Sequence, residues 1–251
     1  MKLISSKSPL TPKLKPARLV PHRRSFYLIA GLLLLFYVPA EAAPIIINFD
    51  SLSGMPNSPG TSVPVANRLS DQLVSTTGAV FSSAVGYAAV VDLRLGLGGT
   101  TTSFPLTIGG VNAVGNLSYG TPVLISFFDP AHPTVLGITD FVQIRGDTAP
   151  NPSGATATLE AFDLAGLLLG SVTANDSAAG LTLTFTAQNI HSVRISQNSA
   201  AGSPFDGTIG LDDLSFNPVQ PVPEPSSVLL LLSGAFLCLR RRSLHTNERN
   251  G

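Results

Sequence analysis

Three aspartates near the two ends of a long β-rich region are the side chains best suited to bind a ligand. Asp50 follows the β-branched run 45–49, and Asp212 and Asp213 lie in the closing run 208–216. Carboxylate oxygens are ligands that calcium prefers. If the first and last strands meet, the three residues could hold a structural calcium ion between them. The alternative is that they cap turns and stay solvated, and the sequence leaves both open.

The other polar side chains do not predict catalysis. A glycosidase needs two carboxylates across a cleft. Glu160, the single glutamate between positions 43 and 222, lies in an alternating segment typical of a surface strand, although a pair with one of the aspartates stays open. A hydrolase nucleophile needs a histidine base, and this span has no cysteine, no G-x-S-x-G motif and only the separated His132 and His191. We therefore expect no enzymatic activity and no cofactor other than the calcium ion.

The elements that would position these side chains are short strands. Alternating or β-branched runs recur between turn residues, and no helical period of useful length interrupts them. Segment 53–64 is expected to be a loop, and Pro130 and Pro133 are expected to end one strand with His132 in the turn. This pattern predicts an all-β fold, an antiparallel β-sandwich or jelly roll. The predicted strands are 45–49, 78–81, 87–93, 104–108, 122–129, 137–145, 156–162, 167–173, 181–185, 193–195 and 208–216.

Charge is distributed unevenly along the 251 residues. All lysines lie within the first fifteen positions, and residues 43–222 contain four arginines against twelve carboxylates, a net charge of −8. An acidic surface argues against nucleic acid as a partner. The one cysteine, Cys238, lies outside this region, so the β-rich part has no disulfide and must be held by its own core.

The N-terminal segment has the layout of a secretory signal peptide. A basic stretch precedes the apolar run 26–38, and Ala40 and Ala42 supply the small residues that signal peptidase reads. Cleavage is predicted after Ala42, with signal peptidase as the first processing partner.

The C-terminal segment has three parts in a fixed order: a Pro-Glu-Pro-Ser tetrad, the apolar run 228–239 and an arginine cluster. Apolar residues favour the hydrocarbon core and arginines stay on the cytoplasmic side, so this order predicts a membrane stop. The run is shorter than the usual ~17–25 residues of a spanning helix, but snorkelling arginines would extend its reach. A weak anchor and a buried helix are the alternatives. The residues concerned are Pro223, Glu224, Pro225, Ser226, Arg240, Arg241 and Arg242.

This C-terminal order resembles the PEP-CTERM sorting signal of bacterial exosortase substrates. The resemblance identifies residues 223–225 with the recognition tripeptide, 228–239 with the membrane run and 240–242 with the cytoplasmic cluster. It implies an exosortase-type membrane transpeptidase as a partner. It also implies a brief stay in the inner membrane of a Gram-negative bacterium, and then a place at the cell surface or in the extracellular matrix. By the same resemblance, the protein is associated with exopolysaccharide and biofilm.

A second resemblance concerns the opening run 47–50 and the closing run 209–216, which are similar to the first and last strands of carbohydrate-binding-module-like jelly rolls. It implies that the calcium ion would lie where those strands meet. Two functions follow: a non-enzymatic surface or matrix protein, or a lectin-like module that binds extracellular polysaccharide directly. The predicted organisation is a signal peptide helix in 1–42, the β-sandwich in 43–217, a Pro-rich linker in 218–226, a transmembrane helix in 227–239 and a basic tail in 240–251.

Overall fold

The structure is a computed structural model that describes residues 42–96, 106–148, 155–175, 177, 180–198 and 209–222. The predicted signal peptide before Ala42, the Pro-Glu-Pro-Ser tetrad, the apolar run and the arginine cluster all lie outside these residues. Within the described ranges, no helix has both the length and the apolar character needed to cross a membrane.

The described residues are almost entirely β, as the sequence predicts. A 3-10 turn at Val65–Asn67 and one short α-helix, α1 at Val74–Thr77, are the exceptions among them. The strands are β1 Ile45–Ile47, β2 Met55–Asn57, β3 Arg68–Leu69, β4 Ala79–Ser82, β5 Ala88–Gly96, β6 Leu106–Gly109, β7 Val123–Asp129, β8 His132–Thr148, β9 Thr156–Phe162, β10 Leu168–Asn175, β11 Leu181–Ile190, β12 Ser192–Asn198, β13 Ile209–Phe216 and β14 Gln220–Pro221.

The strands pair into two layers. The first, called here the five-stranded layer, is antiparallel throughout in the order β10-β9-β12-β7-β4. The second layer runs β11-β8-β13, and both β1 and β6 pair along the other edge of β13 before β5 follows. Strand β8 joins the two layers, because it pairs with β7 at its start and with β11 and β13 further along.

The two layers share one hydrophobic core, which makes the domain a β-sandwich. Alternation is clear in β9, where Ala157, Leu159 and Ala161 are buried and the residues between them are half-buried. Phe127 from the five-stranded layer and Phe216 from the second layer lie at the centre, with ring centroids 5.0 Å apart. Such a ring contact between layers fixes their separation as well as burying apolar area.

A second, smaller cluster covers the other face of β5. Ala88 and Val90 face the main core, whereas Ala89, Val91 and Leu93 pack against the segments around β2 and after β6. In this cluster the Tyr119 hydroxyl donates to Asn57 Oδ1 at 3.0 Å. Burial raises the pKa of Tyr119 well above its usual value. From Ala88 to Leu93, strand β5 is therefore buried on both faces.

The structure corrects the purely antiparallel prediction and the loop predicted at 53–64. Strand β2 lies inside that segment and pairs parallel with β5, with Met55 opposite Val91. Gly54 permits this close approach, because an added Cβ would come within 2.5 Å of Leu106 Cδ2 and 2.8 Å of the Asp92 amide nitrogen. A parallel pair is possible here because a long connection separates β2 from β5.

The predicted turn at 130–133 is shorter than expected. His132 begins β8 and Pro133 lies inside that strand. The register shifts between the pairs Phe128–Leu136 and Asp129–His132, so Pro133 occupies an irregular stretch of the ladder. A bulge tolerates proline because no ladder hydrogen bond is needed from its nitrogen.

Candidate functional site

The three predicted calcium ligands lie around the seam between β1 and β13. The two strands pair antiparallel, with Ile45 opposite Phe216 and Ile47 opposite Leu214. Asp50 follows in an exposed turn, three residues beyond the last pair. The sequence was therefore right that the first strand lies beside the strand that carries Asp212 and Asp213.

The seam ends in two strained residues. Phe49 has φ 58° and Asp213 has φ 47°, both in the left-handed region that non-glycine residues rarely occupy. The register of β13 against β8 shifts between Asp212 and Ser215. This bulge places both Leu211 and Leu214 in the core, although they are three residues apart.

The three aspartates have different environments. Asp212 is completely buried, and its Oδ1 accepts a hydrogen bond from the Asp213 amide at 2.7 Å. Asp213 is half-buried and Asp50 is exposed. Among the described residues, no three His, Cys, Asp or Glu side chains form a group arranged to hold a metal ion. The seam thus does not assemble the three carboxylates into one ligand set, and calcium stays a prediction.

An ion pair that the sequence analysis missed lies beside this seam. Arg94 donates from Nε to Asp92 Oδ1 at 3.0 Å and from Nη2 to Asp92 Oδ2 at 2.7 Å. The hydrogen bond from Arg94 holds the pKa of Asp92 below its usual value. The pKa of Arg94 is raised, first by Asp92 and further by the negative charge of Asp50. The carboxylate of Asp50 therefore interacts electrostatically with the Arg94 guanidinium.

The signal for this pair was present in the sequence. Asp92 and Arg94 are two residues apart in a strand, and residues at this spacing lie on the same face. Side-chain exposure differs sharply, at 8% for Asp92 and 52% for Arg94. The bidentate pair therefore neutralises a nearly buried carboxylate at the rim of the second layer.

A small pocket adjoins the turn at Asp50. Its volume is about 170 Å³, well below the ~300–1,000 Å³ of typical small-molecule sites. Apolar side chains and a few polar groups from β1, the following turn and α1 line it. The lining residues are Ile46, Ile47, Asn48, Phe49, Ser51, Leu52, Leu73 and Thr77.

Glu160 lies on the outer face of the five-stranded layer as half of an ion pair. Arg194 is its cross-strand neighbour and donates from Nε to Glu160 Oε2 at 2.6 Å. This hydrogen bond lowers the pKa of Glu160, whereas a glycosidase acid needs a raised pKa. The Arg194 guanidinium also lies 5.6 Å from the centroid of the Phe162 ring.

The remainder of this outer face is mainly hydroxyl-bearing. Ser171 lies opposite Glu160 and Leu124 lies opposite Arg194, which gives one continuous row across the layer. In a neighbouring row the hydroxyls of Thr158 and Thr173 are 2.9 Å apart. The face thus presents hydroxyl groups around the Arg194–Glu160 ion pair and the half-buried Phe162 ring.

Both histidines of the sandwich are held by structural contacts. His132 is 72% exposed at its side chain, and its Nδ1 lies 2.8 Å from Asp129 Oδ2. This contact lowers the pKa of Asp129. His191 Nδ1 lies 2.8 Å from the Gly137 carbonyl oxygen, and the ring packs edge-on against Phe128. Each imidazole therefore fixes a strand connection.

Residues 218–222, which the sequence assigns to a linker, lie against the sandwich. Val219 is 7% exposed and packs where Gly137 has no side chain. Strand β14 pairs with Gly137 and Ile138 of β8, and the Val222 amide donates to the Leu136 carbonyl at 3.0 Å. The contacts of the sandwich therefore include residues as far along the chain as Val222.

The fold and these contacts define a disulfide-free, two-layer β-sandwich domain. No protein-family model matches the chain, and no curated protein matches it. Similar solved structures include a DUF4465 family protein from Bacteroides caccae, with 14% identity over 70% of this chain and 100% of that chain and a TM-score of 0.41.

Two further similar structures are described as an adhesin domain and a xylan-binding domain. The K2 cleaved adhesin domain of Lys-gingipain is 12% identical over 70% of this chain and 99% of that chain, with a TM-score of 0.36. The xylan-binding domain from CBM 22 is 11% identical over 64% of this chain and 100% of that chain, with a TM-score of 0.29. At this level of similarity, neither the ligand nor the activity of these proteins transfers to this chain.

Proposed function

We propose that the chain is a non-enzymatic β-sandwich, exported through its signal peptide and sorted to the cell surface or extracellular matrix by an exosortase-type transpeptidase. Its role there is structural, in association with exopolysaccharide. The acidic charge of residues 43–222 supports solubility outside the cell and disfavours nucleic acid.

The order of the Pro-Glu-Pro-Ser tetrad, the apolar run and the arginine cluster is the observation that carries the sorting proposal. Val219 and β14 fold onto β8, and the Pro-Glu-Pro-Ser tetrad follows immediately. A membrane enzyme that acts on this tetrad would therefore bind it with no linker residues between the tetrad and the segment that packs on the sandwich. The non-enzymatic part of the proposal is supported by Glu160, His132 and His191, each engaged in a structural contact.

Mass spectrometry of the C-terminus tests the sorting step. Cells with and without the membrane transpeptidase are fractionated, and the protein is followed through each fraction. We expect residues 240–242 to be lost from the mature protein only when the enzyme is present, and a variant with Glu224→Ala to keep them in both strains. Retention of these arginines in both strains by the natural chain would reduce the C-terminal segment to an anchor.

Direct glycan binding is the second candidate, and the outer face of the five-stranded layer favours it. Hydroxyl groups surround the Phe162 ring and the Arg194–Glu160 pair on this face. A ring face and hydrogen-bonding groups together suit a sugar, although sugar sites usually use larger aromatic surfaces. Selective binding on a glycan array that is lost with Phe162→Ala and kept with Ser75→Ala would place this role above the structural one. Glycan binding that is unchanged by Phe162→Ala would remove this face as the site.

A further inference from the structure

Two strand edges lie side by side along one side of the sandwich. Among the described residues, β10 pairs only with β9 and β11 pairs only with β8. The two strands approach each other closely, since a Cβ at Gly170 would lie 2.9 Å from the Phe185 ring. Every second residue of such an edge strand directs its N–H and C=O away from the sheet, where another strand can pair.

This open side lacks the charged residues and prolines that often protect an edge. Residues 164–175 and 180–190 contain no charged residue and no proline, although residues 43–222 as a whole have a net charge of −8. Natural edges are commonly blocked by lysine, by inward charges or by proline. Each of the two strands has one register shift against its partner, between Leu168 and Gly170 in β10 and between Thr186 and Ile190 in β11.

Leucines are exposed at the start of β10 and in the turn before it. Leu164, Leu167, Leu168 and Leu169 are 39%, 65%, 56% and 38% exposed, so together they leave about two whole leucine side chains open to water. Single exposed leucines need no explanation, but a contiguous group at a strand edge marks an interaction surface.

We propose that this side is the interface with a second copy of the same chain, formed by antiparallel pairing of the two β10 strands about a twofold axis. Such pairing is self-complementary, because the same uncharged edge serves both copies. Two domains that each carry −8 repel over most of their surface, and the uncharged edge is where they can approach. Leu168 and Leu169 of each copy would then lie beside the far end of the partner strand and lose exposure.

Sedimentation velocity of the full chain in detergent tests this interface. The natural chain is expected to form a dimer across the micromolar range. Ser171→Lys adds one charge near the middle of β10, where the two copies would place their lysines face to face. Like charges directly opposite each other on paired strands are destabilising, so the dimer dissociation constant should rise by roughly fivefold. The matched control, Ser75→Lys on exposed α1, should remain dimeric.

Two results would overturn the proposal. The first is a natural chain that sediments as a monomer throughout. The second is a Ser171→Lys variant whose dimer dissociation constant is unchanged, since association through the apolar C-terminal run would survive that change. Ser171 lies opposite Glu160 in the ladder, so the added lysine is compatible with the fold. A far-UV circular dichroism melt verifies this, and Leu169→Lys serves as the second variant if the melt is altered.

The dimer does not depend on the proposed sorting. A C-terminus that is never cleaved would leave sedimentation unchanged, and a monomeric chain would leave the mass-spectrometric result unchanged. Failure of one proposal is therefore distinguishable from failure of the other.

Discussion

The docking of residues 218–222 onto β8 can be tested by truncating one buried side chain. Val219 is 7% exposed, and an added Cβ at Gly78 would lie 3.0 Å from its Cγ2. Val219→Ala removes two carbon atoms from this contact. At about 0.8 kcal/mol per buried carbon plus a cavity contribution, the segment should lose about 1.6–2.5 kcal/mol of docking free energy.

Hydrogen exchange at the Val222 amide measures this loss. That amide donates to Leu136 at 3.0 Å and is exposed to solvent only when β14 opens. If β14 opens locally, without global unfolding, the calculated loss corresponds to a fall in protection of about 15- to 70-fold. The amide of Phe127, bonded to the His191 carbonyl at 2.9 Å in the core, should keep its protection.

The matched control is Val65→Ala. Val65 is 76% exposed, so the same two-carbon deletion there should leave the Val222 amide unchanged. Unchanged protection at Val222 in Val219→Ala would refute the docking. An equal fall at Val222 and Phe127 would show that β14 opens only with the whole domain, which would refute local opening.

Three further predictions concern the core, the ion pair and the metal. Phe216→Ala should lower the free energy of unfolding by about 3–5 kcal/mol, because the ring fills the core beside Phe127. Urea denaturation measures this loss, and the surface control Leu124→Ala should lose less than about 1 kcal/mol. A loss that small in Phe216→Ala would contradict a core shared by the two layers. The folded-state pKa of Asp92 is lowered from 3.8 by Arg94. Its stabilisation is therefore complete well above pH 4 and is lost as the pH falls toward the depressed pKa. Asp92→Asn should flatten that part of the acid unfolding curve, and an unaltered curve would count against the pair. If calcium joins the β1–β13 seam, a chelator should lower the Tm; an identical melting curve would remove calcium from the description.

The sequence predicted eleven of the strands, because alternation of polar and apolar residues marks a half-buried strand directly. It missed the short strands β2, β3 and β14, and it placed the start of β8 and the end of β11 five residues short. It could not predict that β5 is buried on both faces. Apart from Asp92, the run Ala88 to Leu93 is apolar on both faces, and only the long-range packing of β2 and the segment after β6 explains why. Met55 and Asn57 lie in a segment rich in Gly, Pro and Ser, where local preference favours a loop and tertiary contacts decide otherwise.

The candidate site was predictable only in part. The resemblance to carbohydrate-binding-module-like jelly rolls implied that β1 lies beside β13, but the bulge at Asp212 and Asp213 changes which side chains share a face. A one-residue irregularity is invisible to pattern analysis, so three aspartates that are close in the strand diagram do not form one ligand set. The bidentate contact of Arg94 with Asp92 could have been predicted from their spacing in β5.

The position of β13 determines how the domain would carry a mechanical load. A pull applied at Val222 first meets β14, whose two pairs with β8 can break one after the other. The load then reaches β13, which is bonded to β8 along one edge and to β1 and β6 along the other. Tension along β13 shears both ladders at once. If the protein is held at its C-terminus, a low force would therefore release the few residues of β14. Further extension would require a force high enough to break the ladders of β13.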